Sequence, residues 1–244
     1  MFASLIGKLG NQPIQYSGLT VDTTPTQVPG TVLPALDPWW GAGEFIYIRA
    51  AGAIPAFNLV TITPTFQSSL NSYRYDAVVA PNTANLGRML AVAVKTMAEG
   101  DYGWAQISGI TPVSCAASVA ADTAFGIAAA GQGGAIANGK QVVNARVLVA
   151  AAATVAKTNC TTIGLSTRLQ VPNSDGWFVG AYLSGTGVAA GATVSSIDPS
   201  GRFVTMSAAS TAQIAGTVTA TYNNATIYYN VAHLNRPFAQ GQVT

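Results

Sequence analysis

The sequence predicts an all-β protein: an extended N-terminal arm, a β-barrel or β-sandwich domain, and a second, small Ig-like β-sandwich module. Three observations carry this. Short runs of β-branched and aromatic residues recur along the chain, bounded by Gly, Pro, Asn or Ser. Two glutamates and four lysines in 244 residues leave little to clothe the solvent face of helices. Turn signatures that join antiparallel strands lie between the runs.

Residues 1–42 read as the arm. Its later part carries Pro13, Pro25, Pro29, Pro34 and Pro38, five of the twelve prolines. Each proline lacks a backbone donor and biases its predecessor towards extended backbone. The segment lacks a helical period, so it is expected to lie along a surface, its own or a neighbour's. It has few local contacts to hold it, and its removal is expected to leave the rest folded. Trp39 and Trp40 close it. Two adjacent tryptophans call for burial, either as an anchor at an interface or under the arm of the same chain. Pro25, Pro29, Pro34, Trp39 and Trp40 are the candidate contact residues.

Residues 43–156 read as the main β domain. Strand runs fall at 45–48, 59–62, 75–80, 89–94, 102–108 and 141–149. Met97 to Asp101 has hairpin turn chemistry. The stretch Ala116 to Ala130 is the exception: alanine raises helix propensity, and a short helix is expected there. Residues 157–223 read as the second module, with runs at 177–179, 181–183, 192–197, 202–206 and 217–222. Asp198-Pro199-Ser200-Gly201 suits a type I turn. Residues 224–244 hold a last strand and a tail.

Charge excludes several functions. Only 8% of residues are charged, against about 25% in an average soluble protein, while 49% are apolar. The net charge of +2 is too small to build a phosphate-binding field, so no nucleic-acid partner is expected. The apolar runs are too short to span a bilayer and the N-terminus is a poor secretory signal, so no membrane partner is expected. Cys115 and Cys160 are far apart in sequence; they read as two buried thiols, with a single disulfide as the other possibility.

Motifs that resemble catalytic devices fail on their context. Gly134 to Lys140 spells GxxxxGK, but Gln141 stands where a phosphate-binding loop needs Ser or Thr, and a β run follows instead of a helix. Asn138-Gly139 is better read as a tight turn. Gly185-Thr186-Gly187 with Gly191 has the wrong spacing for a dinucleotide loop. His233 is the single histidine, and no GxSxG elbow accompanies it. Neither catalytic nor metal nor cofactor residues are nominated, and the chain is expected not to be an enzyme.

Three stretches carry a resemblance. One is AVKTMAEGDYGWAQISG at 93–109, with its GxxGWxQxxG pattern, followed by the small-residue, Gly-rich run 110–139. Another is AIPAFNLV at 53–60, and the third is GAYLSGTGVAAGATVSSIDPSGRFVTMSA at 180–208. The first two are similar to the head decoration, cement and head-fibre proteins of tailed bacteriophages, and the third is similar to β modules that recur in phage virion proteins. The resemblance implies a capsid-binding main domain and a β-rich structural protein of the virion, made in the host cytoplasm and placed on the capsid surface. Its implied partners are the major capsid protein and copies of itself in a homotrimer. The alternative is a head-fibre or receptor-binding protein that recognises a host surface glycan; exposed Tyr and Trp on 157–223 would favour it. The arm and the main domain are expected to carry attachment, with 157–223 projecting outward.

Overall fold

The computed structural model describes residues 14–15, 19–37, 40–68, 72–151, 153–198, 200–223 and 227–241, with backbone only at 14, 15 and 37. Among them are seventeen strands and no helix. The chain builds β1 (Ile14–Gln15), β2 (Val32–Asp37), β3 (Gly41–Ala50), β4 (Leu59–Gln67), β5 (Ser72–Val79), β6 (Leu90–Ala93), β7 (Tyr102–Cys115), β8 (Gly126–Ala129), β9 (Gln132–Gly134) and β10 (Val142–Val149). It then leaves this sheet for β11 (Thr154–Thr161), β12 (Arg168–Gln170), β13 (Tyr182–Ser184), β14 (Val194–Ile197), β15 (Phe203–Met206) and β16 (Ala215–Thr221). The last strand, β17 (Tyr228–Ala239), returns to the first sheet between β7 and β10.

The pairings β3–β5, β5–β4, β4–β6, β6–β7 and β7–β3 close a five-stranded barrel. Its lumen follows the period of two that strands impose. Ile46, Ile48 and Ala50 of β3, Val60 and Ile62 of β4, Ala77 of β5, Ala91 and Ala93 of β6, and Ala105 and Ile107 of β7 form one buried cluster, with Ile54 and Met97 at its end. Small and branched residues share the lumen because five strands enclose little volume. The hairpin turn read at Met97 to Asp101 joins β6 to β7, and the Asp101 carboxylate accepts a 2.8 Å bond from Ala98 N–H.

Strand β7 serves two sheets. Residues 102–108 pair with β3 in the barrel, and 108–115 pair with β17. The change of partner falls at Ser108-Gly109. Gly109 has φ 99°, and a side chain there would meet the Ala42 carbonyl at 2.7 Å and Gly43 Cα at 2.9 Å. The buried Gln106 amide donates to the Ser108 and Ile110 carbonyls at 3.0 and 3.2 Å, which pins the bend. The GxxGWxQxxG pattern therefore encodes the crossing from barrel to outer sheet.

Beyond that crossing, β7, β17 and β10 wrap the outside of the barrel. Leu59, Leu90 and Val92 point outward and meet Val113, Phe125, Ile127, Val142, Val231 and Leu234 in a second buried cluster. The expected helix over Ala116 to Ala130 is absent. That stretch is instead turns and β8, with Asp122 at φ 59°. Tertiary partners override alanine's propensity. The buried Asn230 amide donates to the Val119 carbonyl at 2.7 Å, and Val147 N–H donates to the Thr123 carbonyl at 2.9 Å.

The arm is not held apart from the fold over its described part. β2 runs antiparallel to β3, and Asp22 bridges Tyr102. Leu19 and Ala35 are buried against Phe45, Tyr47, Val94 and Trp104 on the barrel's outer wall. This corrects the expectation that 1–42 can be removed without cost, because its loss would bare Phe45, Tyr47 and Trp104.

In the second unit the sheet order is β13-β16-β11-β12-β15-β14. Its two edges meet: Leu183 N–H donates to Ala192 O at 2.8 Å and Val194 N–H to Ala181 O at 2.9 Å. The sheet thus curls into a small six-stranded barrel. Cys160, Leu169, Leu183, Val194, Val204, Met206, Val218 and Ala220 are its buried residues. The Asp198 to Gly201 turn joins β14 and β15, as its sequence indicates. Trp177-Phe178-Val179 is a turn-rich connection and not a strand; both rings are buried by packing rather than by pairing.

The two barrels meet at an aromatic seam. Phe178 makes edge-on contacts with Phe57, Tyr222 and Tyr229 at centroid distances of 5.8, 5.1 and 5.3 Å. Phe57 presents its ring from a left-handed backbone, φ 62°, an unusual conformation for a bulky residue.

Candidate interaction surface

Among the described residues, no three of His, Cys, Asp and Glu lie together as metal ligands would. His233 is exposed on β17 opposite Arg146 of β10. Cys115 and Cys160 are both free and buried. Burial pushes the Cys115 thiol up to about 12 and raises Cys160 as well, so both are poor nucleophiles. Lys140 of the GxxxxGK run donates to the Asn82 side chain at 2.9 Å, and Ala137 to Lys140 close a turn around Asn138-Gly139. This turn links β9 to β10, which do not pair, so it is not a hairpin. Gly185 to Gly191 connects β13 to β14, a turn as its sequence indicates.

The distinctive surface lies on the first barrel. Strand β2 is apolar on both faces. Leu33 and Ala35 share the face of Phe45 on the barrel's outer wall, while Val32, Pro34 and Leu36 share the face of Ile46 and are exposed. A strand with one solvated face ordinarily alternates apolar and polar residues. Val28, 73% exposed, stands just before this row.

Beside it, β4 and β5 continue past the barrel as a two-stranded ribbon. β4 pairs with β6 only through Thr61, and β5 with β3 only at Asp76 and Ala77, whereas β4 and β5 stay paired to Gln67 and Ser72. The ribbon thus projects by about five residues, ~17 Å. Alternation sorts its faces. Pro64, Phe66, Tyr73 and Tyr75 continue the lumen side set by Ile62 and Ala77; Thr63, Thr65, Gln67, Ser72, Arg74 and Asp76 take the other. Phe66 and Tyr73 lie directly opposite, ring centroids 5.3 Å apart, and are 52% and 61% exposed. Asp76 gathers Arg74 at 2.7 Å and Arg49 at 3.5 Å on the polar side, which raises the Arg74 pKa through its bond to that carboxylate. The arm touches the ribbon at Gly30, φ 93°, which lies against the Tyr75 ring so closely that any side chain would collide with it.

Of the contact residues read from the sequence, Pro25 and Pro34 are exposed and Pro29 is half-buried. Trp40 is half-buried and packs against the chain's own core. Trp39 lies outside the described residues. Sequence reasoning missed Phe66 and Tyr73. Their signal was present as the alternation Ile62-Pro64-Phe66 and Tyr73-Tyr75-Ala77, but the strand runs read there, 59–62 and 75–80, stop short of both residues.

The second barrel has a different exposed feature. Ile163 and Leu165 stand out at its far end, 95% and 69% exposed, in a loop held by Ser210: Ser166 N–H donates to Ser210 Oγ at 3.2 Å, and Ser210 N–H donates to Ser166 O at 3.0 Å. Comparison with protein-family models, curated proteins and solved structures finds no match to this chain.

Proposed function

We propose that this chain is a structural protein of a phage virion, a decoration or cement protein that binds the outer surface of the capsid and bridges its subunits. The observation that carries the reading is the bare apolar surface of the first barrel, formed by the exposed row of β2 and the aromatic face of the ribbon. Apolar surface displayed on a rigid, low-charge scaffold serves association, because little charge must be desolvated on contact. The proposed partners are the major capsid protein and further copies of this chain. The resemblance of 53–60 and 93–139 to head decoration proteins, and of 180–208 to β modules of phage virion proteins, points the same way.

The competing reading, a head-fibre protein that grips a host glycan, needs aromatic platforms on the second unit. There Trp177 and Tyr222 are buried, Tyr182 is half-buried, and Phe203 lies beneath the Arg168 guanidinium at 3.9 Å. This inventory favours the capsid. The test is co-sedimentation of the purified chain with undecorated head particles, in parallel with binding to host cells. Saturable binding to heads with none to cells is expected; the reverse would replace this reading with the glycan one.

A further inference from the structure

We infer that the Phe57 ring is a lock that fixes the second barrel at one angle to the first. This holds whatever the chain attaches to.

The covalent joints between the barrels form a hinge. The chain crosses from one to the other between β10 and β11 and returns between β16 and β17. The crossings run side by side: Tyr222 N–H donates to the Ala153 carbonyl at 3.0 Å, and Tyr229 N–H to the Tyr222 carbonyl at 2.7 Å. Two joints at one place act as one, and the backbone does not stop a swing about them. Side chains that span the seam must stop it.

Phe57 is suited to that task. It is the third residue of the turn Pro55 to Asn58, closed by Asn58 N–H on the Pro55 carbonyl at 3.4 Å, and its φ is 62°. Gly or Asn usually fills a turn position with positive φ, because a larger side chain is strained there. Such strain persists only where the surroundings over-determine it, and it gathers at clamps and switches. Here main-chain bonds tie the turn to the first barrel. Ile54 and Met97 exchange bonds of 2.9 and 2.8 Å, Phe57 N–H donates to Ala93 O at 2.8 Å, and Ser114 N–H donates to Phe57 O at 2.8 Å. Glycine would serve this backbone better; what phenylalanine adds is the ring. That ring stands as a fixed post, buried edge-on to Phe178 of the second unit and to Tyr229 of β17, at 5.8 and 5.9 Å.

The socket is fixed as well. Trp177 is fully buried and donates Nε1–H to the Val155 carbonyl at 2.9 Å, and Ala181 N–H donates to the Phe178 carbonyl at 3.1 Å. Tyr222 lies edge-on to the Phe178 ring at 5.1 Å, with its hydroxyl bonded to the Gly176 carbonyl. A rigid post in a rigid socket permits one angle. The far end of the second barrel, with Ile163 and Leu165, is then presented in one direction.

The test uses the full-length chain with Lys95→Cys and Thr205→Cys, both exposed and one on each barrel. Both are spin-labelled; Cys115 and Cys160 are buried and stay silent. The labelled chain is diluted with unlabelled chain, so that pulsed electron resonance reads distances within one copy. A single narrow peak is expected. Phe57→Gly suits the backbone and deletes the ring, and Phe178→Leu keeps an apolar side chain in the socket. Each is expected to lose the single peak to a broad distribution, with unchanged circular dichroism. The double variant is expected to be no broader than the wider single one, because both act on one contact. Phe57→Asn, which also tolerates positive φ, takes the place of Phe57→Gly if that variant does not fold.

A broad distribution before any seam substitution, or a single peak that survives in both folded variants, overturns the inference. Broadening by Phe178→Leu alone, with the Phe57 variant folded and sharp, assigns the lock to Tyr222 and Tyr229 and overturns the role of Phe57. Broadening by the Phe57 variant alone upholds the lock and makes Tyr229 its partner.

Discussion

The first barrel buries side chains on both sides of its wall, whereas the second buries them chiefly on the inside. Residues 45–48 of β3, 59–62 of β4 and all of β6 are buried at every position. In the second barrel β11 and β16 keep alternating, with Val218 and Ala220 in and Thr217 out. A wall that is apolar on both sides cannot stand in water alone. It must be clothed, and the chain supplies the arm on one side and β7, β17 and β10 on another. A wall with serine, threonine and glycine outside needs no clothing, so the second barrel is complete once closed. The comparison explains why β17 crosses back to the first sheet after the second barrel is finished. It also bears on why most exposed large apolar residues, Ile163, Leu165 and Val179 apart, lie on the first barrel and its outer sheet, where one of the clothing strands is itself two-faced.

Core truncation separates the two most strongly. Phe45→Ala strips the outer wall of the first barrel and Trp177→Ala the base of the second, each fully buried, and each is expected to cost about 3–5 kcal/mol. Calorimetry of the full chain should resolve two transitions, with Phe45→Ala lowering one and Trp177→Ala the other. A single transition moved equally by both would erase the distinction between the units.

A smaller loss tests how the first barrel is joined to its outer sheet. Gly109→Ala forces a side chain into a left-handed position against the Ala42 carbonyl, and about 2–3 kcal/mol is expected. The same substitution at Gly191, also left-handed but with open space around it, should cost about 1 kcal/mol, from backbone conformation alone. Denaturant midpoints for the two variants give the comparison directly. Equal effects would remove the close approach at Ser108-Gly109 as the crossing device.

The seam responds to pH. Burial pushes Tyr222 up to about 12 from an ordinary 10.0 and raises Tyr229, chiefly by the same desolvation. Below pH 10 the Tyr222 hydroxyl is protonated in folded and unfolded chains alike, and its contribution is complete. As pH rises from 10 towards 12 the unfolded chain loses that proton first, so stability falls across this window. Melting temperatures measured through it should drop. Tyr222→Phe also removes the 2.6 Å bond to the Gly176 carbonyl, at about 1 kcal/mol, and should make the alkaline decline shallower. An unchanged alkaline slope would take Tyr222 out of the explanation.

The smallest effect is expected at the surface. Arg236 pairs with Glu44 through two 3.2 Å bonds that link β17 to β3, yet both side chains are solvent-exposed. Glu44→Gln should leave the melting temperature within error. A clear loss would mean that this ion pair, and not the Gly109 crossing, holds outer sheet to barrel.

Much of this architecture was legible in the sequence and some was not, for identifiable reasons. Strand runs such as 45–48 and 59–62, and turns such as Asp198 to Gly201, follow from local chemistry, and the fold class follows from them. Barrel closure was not legible, because which edges meet is a long-range fact: β3 meets β7 across more than fifty residues of chain. The return of β17 was missed for the same reason, since Tyr228 to Val231 looks like any other strand. The alanine run at 116–130 misled because its propensity is local while Asn230, more than a hundred residues on, decides its course. Among the contact residues, prolines marked the arm correctly but not its packing; Leu19 and Ala35 dock on a wall that the sequence did not reveal. The ribbon's aromatic face needed only period two to be seen, together with the knowledge that β4 and β5 outrun their neighbours.

The central claim is that association belongs to the first barrel and its arm, and that the second barrel is a self-contained projection. Hydrogen exchange of the full chain, compared between dilute and associated samples and then on head particles, tests this most directly. The account predicts slowed exchange at 28–36, 63–67 and 72–75 on association, with the loop around Ile163 and Leu165 unchanged. Protection at residues 162–167 with none in the ribbon or the arm would contradict it.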